Sequence, residues 1–266
     1  MRILIWAFIA LSIFASVTFA LPPNGDDAAE AIKKSPRHGE YVDVPMSDAK
    51  IKSWVVYPER KEKAPVVIVI HEIFGMTDWV RGVADSLAAE GFIAIAPDLL
   101  SGKGPGGGGT EAFKGDEVRD AIRKLTPEEV TGRLNAVRDY ALALPAASGK
   151  SATIGFCWGG AASFAYATNQ PKLNAAAVYY GAPPASGLEK IEAPVAGHYG
   201  GDDARITATV EPTKAKMAEL KKSYDPHVYE GAGHGFLRQQ TGREANKKAS
   251  EEAWKSTIAF FKKNLE

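Results

Sequence analysis

The chain has 266 residues, 45% of them apolar, and its 32 basic and 32 acidic side chains leave no formal net charge at neutral pH. That length holds one large α/β domain, and the apolar share suffices for a substantial core. The even charge balance excludes the basic surplus of a typical nucleic-acid-binding surface, so no nucleic-acid partner is expected.

In chain order, Met1-Arg2 precedes an apolar run over residues 3–20 that ends in Thr18-x-Ala20, with Pro22-Pro23 just beyond. A short basic start, an apolar stretch and small residues at its end read as a signal peptide over residues 1–20, and hence an exported, periplasmic or secreted protein. The apolar run is long for a signal; left uncleaved, it would be a membrane anchor. Residues 21–40 read as a polar linker, and residues 41–266 as one α/β domain. Residues 51–57 alternate and are β-branched, predicting a strand. The unbroken apolar run 65–70 predicts a strand covered on both faces. Thr77-Asp78 opens a helix with Trp79, Val80, Val83 and Leu87 at helical spacing, and Gly91 ends it.

Residues 92–96 form another buried strand, closed by Pro97-Asp98. A glycine-rich loop covers residues 102–109, and a helix is predicted over 116–125. Thr126-Pro127-Glu128-Glu129 caps the next helix, which runs to about Leu144. Strands follow at residues 151–154, 175–180, 194–199 and 227–229, with helices at 161–167, 210–223 and 244–264. This alternation predicts an α/β fold, a mostly parallel sheet with helices on both faces.

The segment Gly155-Phe156-Cys157-Trp158-Gly159-Gly160 carries the most chemistry. Strand, Gly-x-nucleophile-x-Gly turn and helix together make a nucleophile elbow, here with cysteine where serine is usual. The flanking glycines suit a turn in which strand and helix pass too closely for a Cβ. Cys157 is the only cysteine, so no intrachain disulfide forms. A free thiol is only a few per cent ionised at pH 7 and needs a base. Among five histidines, His234 lies in Gly231-Ala232-Gly233-His234-Gly235-Phe236, late in the chain, as the order nucleophile, acid, histidine of α/β-hydrolases requires. The acid belongs after the strand 194–199, where Asp202 and Asp203 compete. The spacing Gly-x-x-Asp-x-x-Ile favours Asp203. The loop His71-Glu72-Ile73-Phe74-Gly75 follows the first buried strand, at the place that supplies an oxyanion-hole donor in this fold. Its Ile73 N–H would act with that of Trp158, and Glu72 would lie near sulfur.

These four motifs, Gly-Phe-Cys-Trp-Gly-Gly, His-Glu-Ile-Phe-Gly, Gly-Gly-Asp-Asp and Gly-His-Gly-Phe-Leu-Arg, resemble those of the dienelactone hydrolase (carboxymethylenebutenolidase) family over about residues 42–265. The resemblance implies a single-domain α/β-hydrolase fold, a Cys157–His234–Asp203 triad, and a Glu72 that contacts the thiol and controls its protonation. It further implies a hydrolase of small esters or lactones that works through a thioester on Cys157, which the signal read over residues 1–20 makes an exported one. Arg238 matches a substrate-carboxylate arginine of the family. The second such arginine, expected shortly after Pro97-Asp98-Leu99, is absent, and Lys103 stands in that region without the planar fork of a guanidinium.

Gly104-Pro105-Gly106-Gly107-Gly108-Gly109 matches a dinucleotide pattern by letter, yet no helix opens on it, so it reads as a loop. Histidine spacings give no zinc pattern. No cofactor and no metal are expected, and the protein is expected to be a monomer. A thiol acyltransferase or peptidase on the same scaffold, and a ligand-binding or redox-sensing protein without turnover, are the competing readings.

Overall fold

A computed structural model describes residues 20–46 and 49–266. The expected signal lies outside the described residues, except for Ala20. Among the described residues no helix is long and apolar enough to cross a membrane. The strands are Gly39–Pro45 (β1), Lys50–Val56 (β2), Ala64–Ile70 (β3), Ile93–Pro97 (β4), Ala147–Phe156 (β5), Ala175–Tyr179 (β6), Val195–Gly200 (β7) and Tyr224–Tyr229 (β8). The helices are Ala28–Lys34 (α1), Asp78–Ala89 (α2), Glu117–Arg123 (α3), Pro127–Leu142 (α4), Trp158–Asn169 (α5), Ala204–Thr207 (α6), Val210–Glu219 (α7) and Glu244–Leu265 (α8).

The eight strands form one sheet in the order β1-β2-β4-β3-β5-β6-β7-β8. From β4 to β8 every pairing is parallel, and β1 and β2 add an antiparallel edge. The alternation of β3 sorts the core. Val67 and Val69 face a cluster built with Trp79 and Val83 of α2 and Trp254, Ile258 and Phe261 of α8. Val66, Ile68 and Ile70 face the other cluster, with Leu134 and Val137 of α4, Phe164 of α5 and Met217 of α7. Both faces of the central strands are therefore dry, which is why they read as continuous apolar runs.

Two helix starts follow their predicted caps. Thr77 accepts from the Val80 N–H at 3.5 Å. Thr126 and Glu129 form a reciprocal capping box, with Glu129 N–H donating to Thr126 Oγ1 at 3.2 Å and Thr126 N–H to Glu129 Oε2 at 3.1 Å.

The stretch expected to be a linker is ordered. It carries a 3₁₀ turn at Gly25–Asp27 and helix α1, and it packs against α2. Ala20 N–H donates to Glu90 Oε1 at 2.9 Å, and Trp79 Nε1–H donates to the Pro23 carbonyl at 3.1 Å. The same segment also meets the loop after β8. Gln240 Nε2 donates to the Pro22 carbonyl at 2.9 Å, and Gly25 N–H to the Arg238 carbonyl at 2.8 Å.

Candidate active site

Strand register brings the reactive loops together. Ile70 lies opposite Gly155, Phe156 opposite Tyr179, Tyr179 opposite His198, and Gly200 opposite Tyr229. The segments leaving β3, β5, β6, β7 and β8 therefore emerge side by side at the carboxyl end of the sheet. That edge is where ligands bind in open α/β sheets.

Cys157 sits on the turn between β5 and α5 with φ 55° and ψ −115°. A non-glycine residue there is strained by about 1–3 kcal/mol. The turn tolerates no extra atoms around it. A Cβ on Gly155 would collide with the Gly159 carbonyl, one on Gly159 with the carbonyls of Ile70 and His71, and one on Gly160 would stand 2.5 Å from the Tyr179 carbonyl. The thiol is partly exposed, and Cys157 N–H is held by the Tyr179 carbonyl at 3.0 Å. Trp158 is the first residue of α5, so its N–H has no partner within the helix.

His234 stands in a loop whose Gly231 and Gly235 have φ of 70° and 75°, values that favour glycine. Its Nδ1 lies 2.5 Å from Asp203 Oδ2, and the carboxylate is nearly buried. The imidazole pKa is pushed up to about 9. The Cys157 sulfur beside it is the largest cause; burial opposes it, and Asp203 adds to the rise. Asp202 faces the other way, with Arg243 Nη1 2.7 Å from its carboxylate. Of the two competing aspartates, Asp203 is the one in contact with the imidazole.

The loop after β3 is fixed by a buried histidine. His71 Nε2 accepts the Leu99 N–H at 3.2 Å, so its proton is on Nδ1, which donates to the Glu72 carbonyl at 2.8 Å. Burial lowers the pKa of His71 and keeps it neutral. Gly75 N–H also donates to the Glu72 carbonyl, at 3.1 Å. Two donors thus hold one end of the Glu72–Ile73 peptide. In a trans peptide the N–H points opposite to the C=O, so the Ile73 N–H is presented away from them. The Glu72 side chain is 5% exposed, with Oε2 2.7 Å from Arg238 Nε. That N–H is not aligned for a hydrogen bond, so the contact is an ion pair. Burial lifts the Glu72 carboxyl above its ordinary range, although Arg238 pulls it down.

Lys103 takes no part in this cluster. It is ion-paired with Glu129 of α4 and lines a cavity of about 470 Å³ with Phe113, Glu117 and Lys124. Instead, Arg119 of α3 shares the Phe74 ring with Arg238. Arg119 lies 5.1 Å and Arg238 5.0 Å from the centre of the Phe74 ring. No local signal marked Arg119, because a surface arginine on a short polar helix resembles any solvated charge. Tyr180 also belongs to the cluster. Its ring packs 5.1 Å from that of His234, its φ is 40°, and its hydroxyl is buried. The pair Tyr179-Tyr180 reads in sequence as sheet core plus rim. Among the described residues no three His, Cys, Asp or Glu side chains cluster as a metal site requires.

A profile of the dienelactone hydrolase family matches residues 51–265, nearly the whole described chain. The chain belongs to the dienelactone hydrolase family. Within that family it is 30% identical over 241 residues to a Synechocystis protein named "Putative carboxymethylenebutenolidase", covering 84% of this chain and 96% of the relative. A Saccharolobus solfataricus protein of the same name is 29% identical over 249 residues, covering 81% and 95%. The crystal structure of a "Putative Dienelactone Hydrolase" from Klebsiella pneumoniae aligns with TM-score 0.76 at 26% identity, covering 85% of this chain and 98% of the other. The dienelactone hydrolase assignment carries with it the α/β-hydrolase fold, in agreement with the sheet order and elbow described above.

Proposed function

We propose that the protein is an exported, cysteine-dependent hydrolase of small esters or lactones. The observation that carries this reading is the His234–Asp203 contact beside a thiol on a strained turn. In the proposed cycle Asp203 accepts the Nδ1–H of His234 and leaves Nε2 free to take the Cys157 proton. Sulfur attacks the acyl carbon, and the developing oxyanion accepts from the N–H groups of Ile73 and Trp158. The imidazolium protonates the departing alkoxide, and a thioester remains on Cys157. Water then attacks with His234 as base, a carbon–oxygen bond replaces the carbon–sulfur bond, and the acid product leaves.

Arg238 and Arg119, both against Phe74, are the proposed anion-holding groups, and the name shared by the relatives makes carboxylate-bearing lactones a first substrate class to assay. Export rests on the basic start, apolar run and small residues of 1–20, read as a cleaved signal. The test is a panel of aryl esters, lactones and peptides, with intact-mass detection of protein trapped during turnover. An acyl adduct lost in Cys157→Ala supports the thioester route. Ester turnover by Cys157→Ala at the wild-type rate would overturn it, and cleavage confined to peptides would point to the peptidase alternative.

A further inference from the structure

Among the described residues the Tyr180 hydroxyl has no hydrogen-bond partner and, unlike Arg238 Nε beside Glu72, no ion pair either. The side chain is fully buried. A buried hydroxyl without a partner is destabilising and in a native fold calls for an explanation. The backbone is unusual as well, with φ 40° at a bulky residue, held by Tyr180 N–H donating to the His198 carbonyl at 2.8 Å. The fold thus keeps a strained residue in order to hold this ring where it is.

The surroundings say what the hydroxyl is for. The ring packs against His234 at 5.1 Å and against Phe236 at 5.4 Å. The charged or ionisable groups it senses are Glu72 from the loop after β3, Cys157 from the elbow and Arg238 from the loop after β8. Burial, with Glu72 and Cys157 next, pushes the phenol well above its ordinary pKa, so it stays a proton donor throughout the working range. A donor, the Glu72 carboxylate as acceptor and the His234 imidazole as base are therefore neighbours in the same pocket as Cys157. A water molecule needs two to four polar partners of this kind to be held in place.

We propose that Tyr180 positions the water that hydrolyses the acyl group from Cys157. The proposal rests on the thioester route above. The phenol donates to the water oxygen, a water hydrogen is accepted by His234 Nε2, and Glu72 accepts the other. The oxygen lone pair then attacks the thioester carbonyl, the water proton passes to His234, the carbon–sulfur bond breaks, and the imidazolium returns its proton to sulfur. No electrons enter or leave.

The experiment compares wild type with Tyr180→Phe, using p-nitrophenyl acetate, rapid acid quench and intact-mass spectrometry. Tyr180→Phe is expected to slow deacylation by about tenfold to a hundredfold. Acetylated Cys157 should accumulate, the p-nitrophenolate burst should persist, and kcat and KM should fall together. Hydroxylamine, which attacks a thioester without a positioned water, should restore most of the turnover. Because an unpartnered hydroxyl is removed, the variant should melt at or above the wild-type temperature. A variant that deacylates at the wild-type rate, slows both steps equally or melts lower would overturn the role of Tyr180. Absence of any acetylated Cys157 in both proteins would overturn the thioester route itself.

Discussion

Two imidazoles on neighbouring parts of the sheet end have been set to opposite states. His198, at the end of β7, is sealed in the interior between Tyr229 and Thr257, with Nδ1 2.9 Å from the Tyr229 hydroxyl and Nε2 3.0 Å from Thr257 Oγ1. Thr257 in turn meets the Tyr179 hydroxyl at 2.7 Å, so every partner is neutral. Burial drives the pKa of His198 down to about 3, helped by His227 stacked beside it. His234, a loop away, has a carboxylate and a sulfur for neighbours and is raised to about 9. The comparison teaches that an acidic partner at the mouth, more than position on the sheet, makes a histidine fit to hold a proton during chemistry.

The harshest way to break the contrast is to remove the group that His234 serves. Cys157→Ala should lower ester turnover by about 10⁴-fold or more, measured as kcat with an aryl ester, while Tm changes little. Asp203→Asn should come next, with a loss of about a thousandfold or more, because the amide favours the wrong tautomer of His234. Its companion measurement is the His234 titration by NMR, which should move to lower pH once the carboxylate is gone.

The pH dependence of stability sharpens the same contrast with opposite signs. The folded pKa of His234 is raised from 6.5 to about 9, so its contribution is fully present below 6.5 and is lost as pH rises through 9. For His198 the folded pKa is depressed from 6.5 to about 3. The unfolded chain then takes up a proton that the native state refuses, and stability is lost as pH falls below 6.5 toward 3. Denaturant titrations of His234→Asn should lack the alkaline loss, and those of His198→Gln should show a shallower acid limb.

The smallest effect concerns the rim. Arg119→Ala should reduce kcat/KM for carboxylate-bearing esters by about threefold to thirtyfold more than for neutral ones, since the guanidinium is half-exposed and screened. Equal losses on both would separate Arg119 from anion binding.

Much of this arrangement was legible in the chain. The elbow glycines around Cys157, the glycine loop of His234 and the apolar runs of β3 and β4 each follow from a local requirement of backbone or burial. The edge strand β1 was missed because only Val44 in it is buried, which leaves little apolar contrast to read. Helix α1 was missed because most of its residues face water and its hold on α2 is tertiary. Arg119 and Tyr180 were invisible for a related reason. One acquires meaning only where α3 lies over Phe74, and the other only where its phenol, unlike that of Tyr179, finds no neighbour to bond among the described residues.

The segment from Ala20 to Gly25 has one more consequence. It ends on the carbonyl of Arg238, the residue whose guanidinium faces Glu72. Trimming the chain beyond Pro23 would therefore be felt some distance away, as slack in the loop that aims that guanidinium. Preparations of the protein that differ by only a few residues at this end should differ in selectivity for charged substrates before they differ in melting temperature.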